Sequence, residues 1–329
     1  MKNKRIPQEV GIIAVVIIVG VVLSFAASAF CTVDNMMVLL LNGTVVLFLA
    51  LGQSFVLLTG GIDLSVGSNI ALTGVIAALT MQAGVPWWGA AIVALIVGAG
   101  VGLFNGVLVH WGNMPPFIVT FATFGISASI PKILTNGSSV PISDKMFAFF
   151  GRGSIFGIPV PVILVAITAI MLGLYLKKTA QGVHIYAVGG NRETARLSGI
   201  NVGKTTILVY VVSGICSAFG GIITASRLMV GYPTAGAGTE QFYSIASAVV
   251  GGVSLFGGVG TILGAVFGAI LIAEVSNGMN VIGVSAYWQP LVIGVIILLG
   301  VLIDSNRRNI SIFSLFKKRK ETVSDGIAH

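Results

Sequence analysis

The chain has 329 residues, 56% of them apolar and only 9% charged, with a mean hydropathy of +1.02. A globular domain carries roughly 25% charged residues, so a soluble fold is all but excluded, and at about 20 residues per crossing there is room for roughly ten membrane spans. The net charge of +8 does not point to nucleic acid, because 14 of the 18 Lys and Arg residues fall in three clusters at the edges of apolar runs.

Lys2, Lys4 and Arg5 precede the first apolar run, at about 11–30. Its Ala27-Ser28-Ala29 resembles a leader cleavage site, yet a chain that re-enters lipid at once has no need of cleavage, and the run reads as an uncleaved anchor. Further runs cover 38–59, 64–82, 88–110, 117–134 and 159–176. A second basic cluster follows in 177–204, with Lys177, Lys178, Arg192, Arg196 and Lys204. Runs at 205–225, 240–254, 258–282 and 287–303 then lead to Arg307, Arg308 and Lys317 to Lys320. Six runs separate the first two clusters and four separate the last two. Both counts are even, which puts all three clusters on one side, the cytoplasmic one.

The expected fold is therefore all-α and polytopic, one unit over 1–329 with about ten transmembrane helices. It divides into a first half (11–176), a cytoplasmic loop (177–204), a second half (205–305) and a basic tail (306–329) with both termini cytoplasmic. Glycine, at 44 residues, is about twice its usual share, as close helix packing in lipid requires. Gly98, Gly102 and Gly106 are spaced by four, and so are Gly260, Gly264 and Gly268, in spans expected to run in opposite directions. Such a match suggests two inverted repeats, an arrangement found in transporters. Cys31 and Cys216 form neither a metal spacing nor a disulfide framework.

The stretch "SGINVGKTT" (198–206) imitates a nucleotide-binding loop, but the position that requires the first glycine holds Ser198 and no soluble strand–turn–helix unit surrounds it. Lys204 reads as an anchor at the start of a helix. Just before it, in "AVGGNRETARLSGI" (187–200), Gly189-Gly190 ends one element and Asn191 can cap the next. Glu193 complements the helix start, and Gly199 stops it after about two turns. Arg192 and Arg196 lie four apart on one face. A short polar helix outside lipid is either a solvated connector or a docking element for a cytoplasmic partner.

This segment resembles the coupling loop of ABC-importer permeases of the ribose/xylose/galactose/autoinducer-2 family. "LLTGGIDLSVGS" (57–68), "NGVLVHWGNMPPFIVTFAT" (105–123) and "VGGVSLFGGVGTILGAVFGAILI" (250–272) resemble that family in the same order. The resemblance implies a ten-helix permease like those of type II ABC importers, sitting in a bacterial inner membrane. It also implies a second permease copy (a homodimer, with a heterodimer open), a separate double-cassette ATPase and a periplasmic or lipid-anchored sugar-binding protein. Membrane lipids surround it, nucleic acid has no part, and no cofactor, metal or catalytic residue is expected in the chain itself.

Within that frame Asp63 is placed to cap a helix by accepting N–H bonds from Ser65 or Val66, and to shape the inner end of a translocation route. In the fifth run Pro115-Pro116 fixes the helix start. Thr120, Thr123 and Ser127 fall within about 60° of one another on a helical wheel, beside an arc of Phe117, Phe121 and Phe124. Hydroxyls beside aromatic faces suit a passing sugar, although they can equally bond across helices or to their own carbonyls. Asn105 and His110 are weaker candidates. Lys145 and Arg152 in the outer loop 135–158, with Arg227, offer a basic surface for an acidic binding protein, or simply an exterior connector. A permease for nucleosides or branched-chain amino acids, or a secondary transporter using Asp63, Glu240 or Glu274, stays open.

Overall fold

The computed structural model describes residues 8–236 and 238–307. The basic clusters at 2–5 and 308–320 lie outside the described residues. The ten apolar runs and the connections between them fold into thirteen α-helices. They are α1 (Gln8–Ala26), α2 (Val33–Leu58), α3 (Val66–Gln82), α4 (Trp87–His110), α5 (Pro116–Thr135), α6 (Lys145–Arg152), α7 (Val160–Lys178), α8 (Ala180–Gly190), α9 (Arg192–Leu197), α10 (Val202–Leu228), α11 (Glu240–Val250), α12 (Ile262–Ile282) and α13 (Gln289–Arg307). Each apolar run yields one helix, with α6, α8 and α9 added by the connections.

Among the described residues, eight helical segments are long and apolar enough to cross a membrane: α1, α2, α4, α5, α7, α10, α12 and Ala286–Ser305. The expectation of about ten transmembrane helices stands, with two of the ten apolar helices shorter than these eight segments. Helix α3 has 17 residues. Helix α11 has 11 residues, and at 1.5 Å per residue it extends only about 16 Å. Its run was expected to continue to 254, but Gly251-Gly252 ends it. Residues 251–261, with Gly257, Gly258 and Gly260 at positive φ, form an irregular segment before Thr261 caps α12.

Two helices form the centre. Phe48 to Leu58 of α2 is buried on every side, the pattern of a helix that is apolar all round and enclosed by others. It packs along α10, where Tyr210 and Ile223 are fully buried and Phe219 stacks on Phe48 at 5.3 Å. The packing is reciprocal: α10 takes α3 and α4 against it, and α2 takes α11 and α12. Helices α1, α5, α7 and α13 lie outermost, with mostly exposed apolar surfaces.

The first glycine ladder makes the α4–α10 contact. A Cβ on Gly102 would collide with the carbonyl of Tyr210, and one on Gly214 with the carbonyl of Gly98. Gly264 and Gly268 instead face Ser247 and Gly251 on α11 and its end, and Gly260 precedes α12. The two ladders therefore pack against different helices, α10 and α11.

Short antiparallel pairs tie the outer connections. β1 (Val140–Pro141) pairs with β4 (Val230–Gly231), and β2 (Ser154–Ile155) with β3 (Ile158–Pro159). The 135–158 connection is thus folded onto the end of α10, with α6 capped by Asp144 and Phe147 buried beneath it.

Candidate functional site

The break between α2 and α3 gathers polar groups in an otherwise apolar interior. Gly60 and Gly61 end α2, and Asp63 lies in the following turn with 1% of its surface exposed. Its Oδ1 accepts the backbone N–H of Ser65 at 3.0 Å and the Ser65 hydroxyl at 2.6 Å, and its Oδ2 accepts the Ser213 hydroxyl of α10 at 2.8 Å. Asn105 of α4 donates to Ser65 Oγ at 2.9 Å. Ser217 donates to the carbonyl of Val66 at 2.6 Å, and Tyr210 to that of Ile62 at 3.3 Å. With its amide turned to satisfy both groups, Gln53 donates to the Asp63 carbonyl at 3.0 Å and accepts its N–H at 3.3 Å. A buried carboxyl group is tolerated only when hydrogen-bonded; Ser65 and Ser213 supply those bonds, while Gln53 holds the Asp63 backbone and Asn105 holds Ser65.

The expected bond from the Ser65 N–H forms, but Ser65 is itself the N-cap of α3 and no side chain caps that helix; Asp63 instead joins the break to α10, which the sequence reading had not assigned. Ser213 and Ser217, four apart in an apolar run, carried that signal. Gln53, an amide inside another apolar run, carried it too.

On α5 the two arcs separate. Thr120, Thr123 and Ser127 are buried on the face that packs against α3. Thr120 Oγ1 points to the carbonyls of Pro116 at 2.9 Å and Ile62 at 3.3 Å, and Thr123 donates to Val119 at 3.0 Å. Phe117 and Phe121 stand exposed, and the rings of Phe117, Phe121 and Phe124 stack in series along the helix at 6.0 and 6.5 Å. Within one chain the open face of α5 is therefore aromatic, because its hydroxyls bond to the helix itself.

The second site lies at the end of the bundle that carries Lys177 and Lys178. The 177–204 segment, read as a loop, is helical: α8 follows α7 after a turn at Thr179, and α9 follows after Asn191. Asn191 accepts the Thr194 N–H at 2.9 Å, and Gly199 (φ +82°) stops α9. Arg192, Glu193 and Arg196 are exposed, as is Leu197 at 86%, while Ala195 is buried against Val188 and Val202. Arg192 approaches His110 Nδ1 at 3.4 Å, so one arginine does have a neighbour in its own chain. Residues 198–206 are the turn after α9 and the first turn of α10, capped by Asn201, with no strand before them.

Helix α8 seats this pair on both irregular segments. A Cβ on Gly189 would strike the Leu58 carbonyl and the Gly258 N–H, two groups that themselves bond at 2.9 Å. Tyr186 donates to the Gly260 carbonyl at 2.8 Å. Burial, and then the Glu9 carboxylate, push that phenol up, so its hydroxyl remains a donor. Asp304 of α13 completes the mount, its Oδ2 accepting the Ser254 hydroxyl at 3.0 Å and the Leu255 N–H at 3.1 Å.

The arginines at the end of the bundle opposite α9 hold structure. Arg227 donates to the Leu41 carbonyl at 3.2 Å and to Asn42 Oδ1 at 2.8 Å, and Arg152 donates to the Arg227 carbonyl at 2.7 Å. Lys145 is exposed. No cluster of three metal-ligating side chains occurs among the described residues.

Long apolar helices around a buried polar break, with an exposed capped helix mounted at one end, define a multi-pass all-α membrane protein. The chain belongs to the family described as "Branched-chain amino acid transport system / permease component", whose model matches residues 35–301. It is 38% identical to the ribose import permease protein of Escherichia coli over 92% of this chain and 94% of that protein. It is also 38% identical to the D-allose transport system permease protein of the same organism, over 88% of each. The L-arabinose ABC transporter permease protein of Azospirillum brasilense is 36% identical over 91% of this chain and 88% of that protein. No solved structure matches the chain.

Proposed function

We propose that the chain is the membrane-spanning subunit of an ATP-driven importer for a ribose-like monosaccharide, working by alternating access in a bacterial inner membrane. The observation that carries this is near-full-length similarity to permeases named for ribose, D-allose and L-arabinose. The family description, by contrast, names branched-chain amino acids, which keeps a permease for those solutes as the second reading.

In this reading the basic face is cytoplasmic and the halves 11–176 and 205–305 enclose the α2–α10 centre. A second copy of the chain packs alongside. The chain itself performs no chemistry; a double-cassette ATPase hydrolyses ATP and grips α9. Force on α9 passes through Gly189 and Tyr186 to residues 58–60 and 257–260, and from there to the break that holds Asp63. The solute arrives on a sugar-binding protein at the opposite face, where Lys145 lies exposed, and passes the aromatic arc of α5.

The test is reconstitution in proteoliposomes with a double-cassette ATPase and a sugar-binding protein from the same organism. ATP-dependent uptake of D-ribose or D-allose is the expected result. Uptake of leucine instead would favour the second reading. Solute movement without the ATPase would favour a secondary transporter.

A further inference from the structure

A cavity of about 420 Å³ opens between α2, α10, α11 and α12, at the end of the bundle opposite α9. Its volume lies in the range of small-molecule clefts, roughly 300–1,000 Å³. Three helices present one turn each to it: Thr224 and Leu228 from α10, Glu240 and Tyr243 from α11, and Ser276 and Asn280 from α12. Tyr232 and Gln289 close the rim.

Part of this wall is engaged, since Thr224 donates to the Gly220 carbonyl, Asn42 accepts from Arg227 and Asn277 pairs with Asn35, but Ser276, Asn280 and Glu240 keep hydrogen-bonding capacity. The Ser276 hydroxyl is buried without a partner. Asn280 accepts from Gln289 at 2.8 Å through its oxygen, which leaves its NH₂ as a donor. One carboxylate oxygen of Glu240 accepts the Thr239 N–H at 3.0 Å, and the other is available. No lysine or arginine is among the described lining residues, and the nearby Arg227 is engaged by the Asn42 side chain and the Leu41 carbonyl, while Glu240 on the wall disfavours an anion. A hydrocarbon chain would leave the serine hydroxyl and the carboxylate unpaired in an apolar surround, which is unfavourable. A neutral polyhydroxylated molecule satisfies both needs. Its hydroxyls pair with carboxylate, amide and serine, and its C–H faces lie on the tyrosine rings.

We propose that this cavity is a binding site for a neutral sugar or polyol, one per chain and separate from the α5 face and the Asp63 break. The choice of sugar as probe and the outward placement rest on the import reading.

The experiment uses the full chain in right-side-out membrane vesicles, with Cys31→Ser and Cys216→Ser, and a reporter cysteine introduced as Ser276→Cys or, separately, Thr224→Cys. A small cationic methanethiosulfonate should label both reporters from outside. D-Ribose or D-allose at millimolar concentration should slow labelling about threefold or more, following the factor 1 + [L]/Kd. Tyr243→Ala with Asn280→Leu should abolish that protection. Absence of labelling at both reporters, or labelling that neither sugar slows, overturns the proposal. Protection without ATP-driven uptake in the reconstituted system would sink the import reading while keeping the site. Uptake without protection would do the reverse.

Discussion

Ser213 of α10 donates its hydroxyl to Asp63 Oδ2 at 2.8 Å, joining positions 150 residues apart at the break between α2 and α3. Removing one partner of a buried hydrogen bond costs about 1–3 kcal/mol. Ser213→Ala should therefore lower stability by about 2 kcal/mol. Asp63→Ala, which also strips the Ser65 N–H and hydroxyl of their acceptor, should lower it by about 3 kcal/mol or more. Thermal unfolding of the detergent-solubilised chain measures both, and equal losses would show that Asp63 matters only through Ser213.

Helix α9 exposes both of its arginines at the basic end of the bundle. Arg196→Glu, and more strongly Arg192→Glu with Arg196→Glu, should leave insertion intact and weaken ATPase binding by on the order of a kcal/mol or more where the contact is desolvated. ATP-driven uptake should fail, and the ATPase should co-purify poorly. A double variant that transports like the parent would make α9 a connector.

Gly189 sits against the Leu58 carbonyl and the Gly258 N–H, whereas a Cβ on Gly190 meets nothing within 4 Å. Gly189→Val should cost about 1–3 kcal/mol through overpacking and uncouple ATP hydrolysis from uptake. Gly190→Ala is the neutral control. Uptake per ATP hydrolysed, compared between the two variants, checks the transmission route.

On α5 the aromatic arc, not the hydroxyl arc, should meet water. With Cys31 and Cys216 replaced, Phe117→Cys and Phe121→Cys should react with a charged thiol reagent at least about tenfold faster than Thr120→Cys or Thr123→Cys, a difference of about 1.4 kcal/mol. Equal inertness would place the aromatic arc in lipid.

Lys204 occupies the first turn of α10 rather than a phosphate-binding loop. The purified chain should bind no ATP, and Lys204→Ala should leave reconstituted uptake within about twofold of the parent. Micromolar nucleotide binding in a calorimeter would contradict this.

Apolar run lengths placed all ten hydrophobic helices, because lipid imposes a long, continuous signature on each crossing. They misjudged α11, where Gly251-Gly252 breaks a run that hydropathy reads as unbroken. The cap at Asn191 and the turn at Gly199 were legible, since capping is a local matter of a few side chains. The bond from Ser213 to Asp63 and the hold of Asp304 on Leu255 were not, because nothing local to one segment states which distant helix it will meet. The α5 hydroxyls show the remaining limit: a wheel identifies the shared face of Thr120, Thr123 and Ser127 but not whether water or α3 lies against it.

The α4–α10 seam, where Gly102 meets the Tyr210 carbonyl and Gly214 meets the Gly98 carbonyl, has a mechanical consequence. Adaptable interfaces accommodate sliding by switching rotamers, and backbone pressed on backbone has no rotamers to switch. On the import reading, the seam would make α4 and α10 move together, with α3 packed on both. Deformation in that reading would then fall on the irregular stretch 251–261 rather than on 59–65, which Asn105, Tyr210 and Ser213 bind to that body.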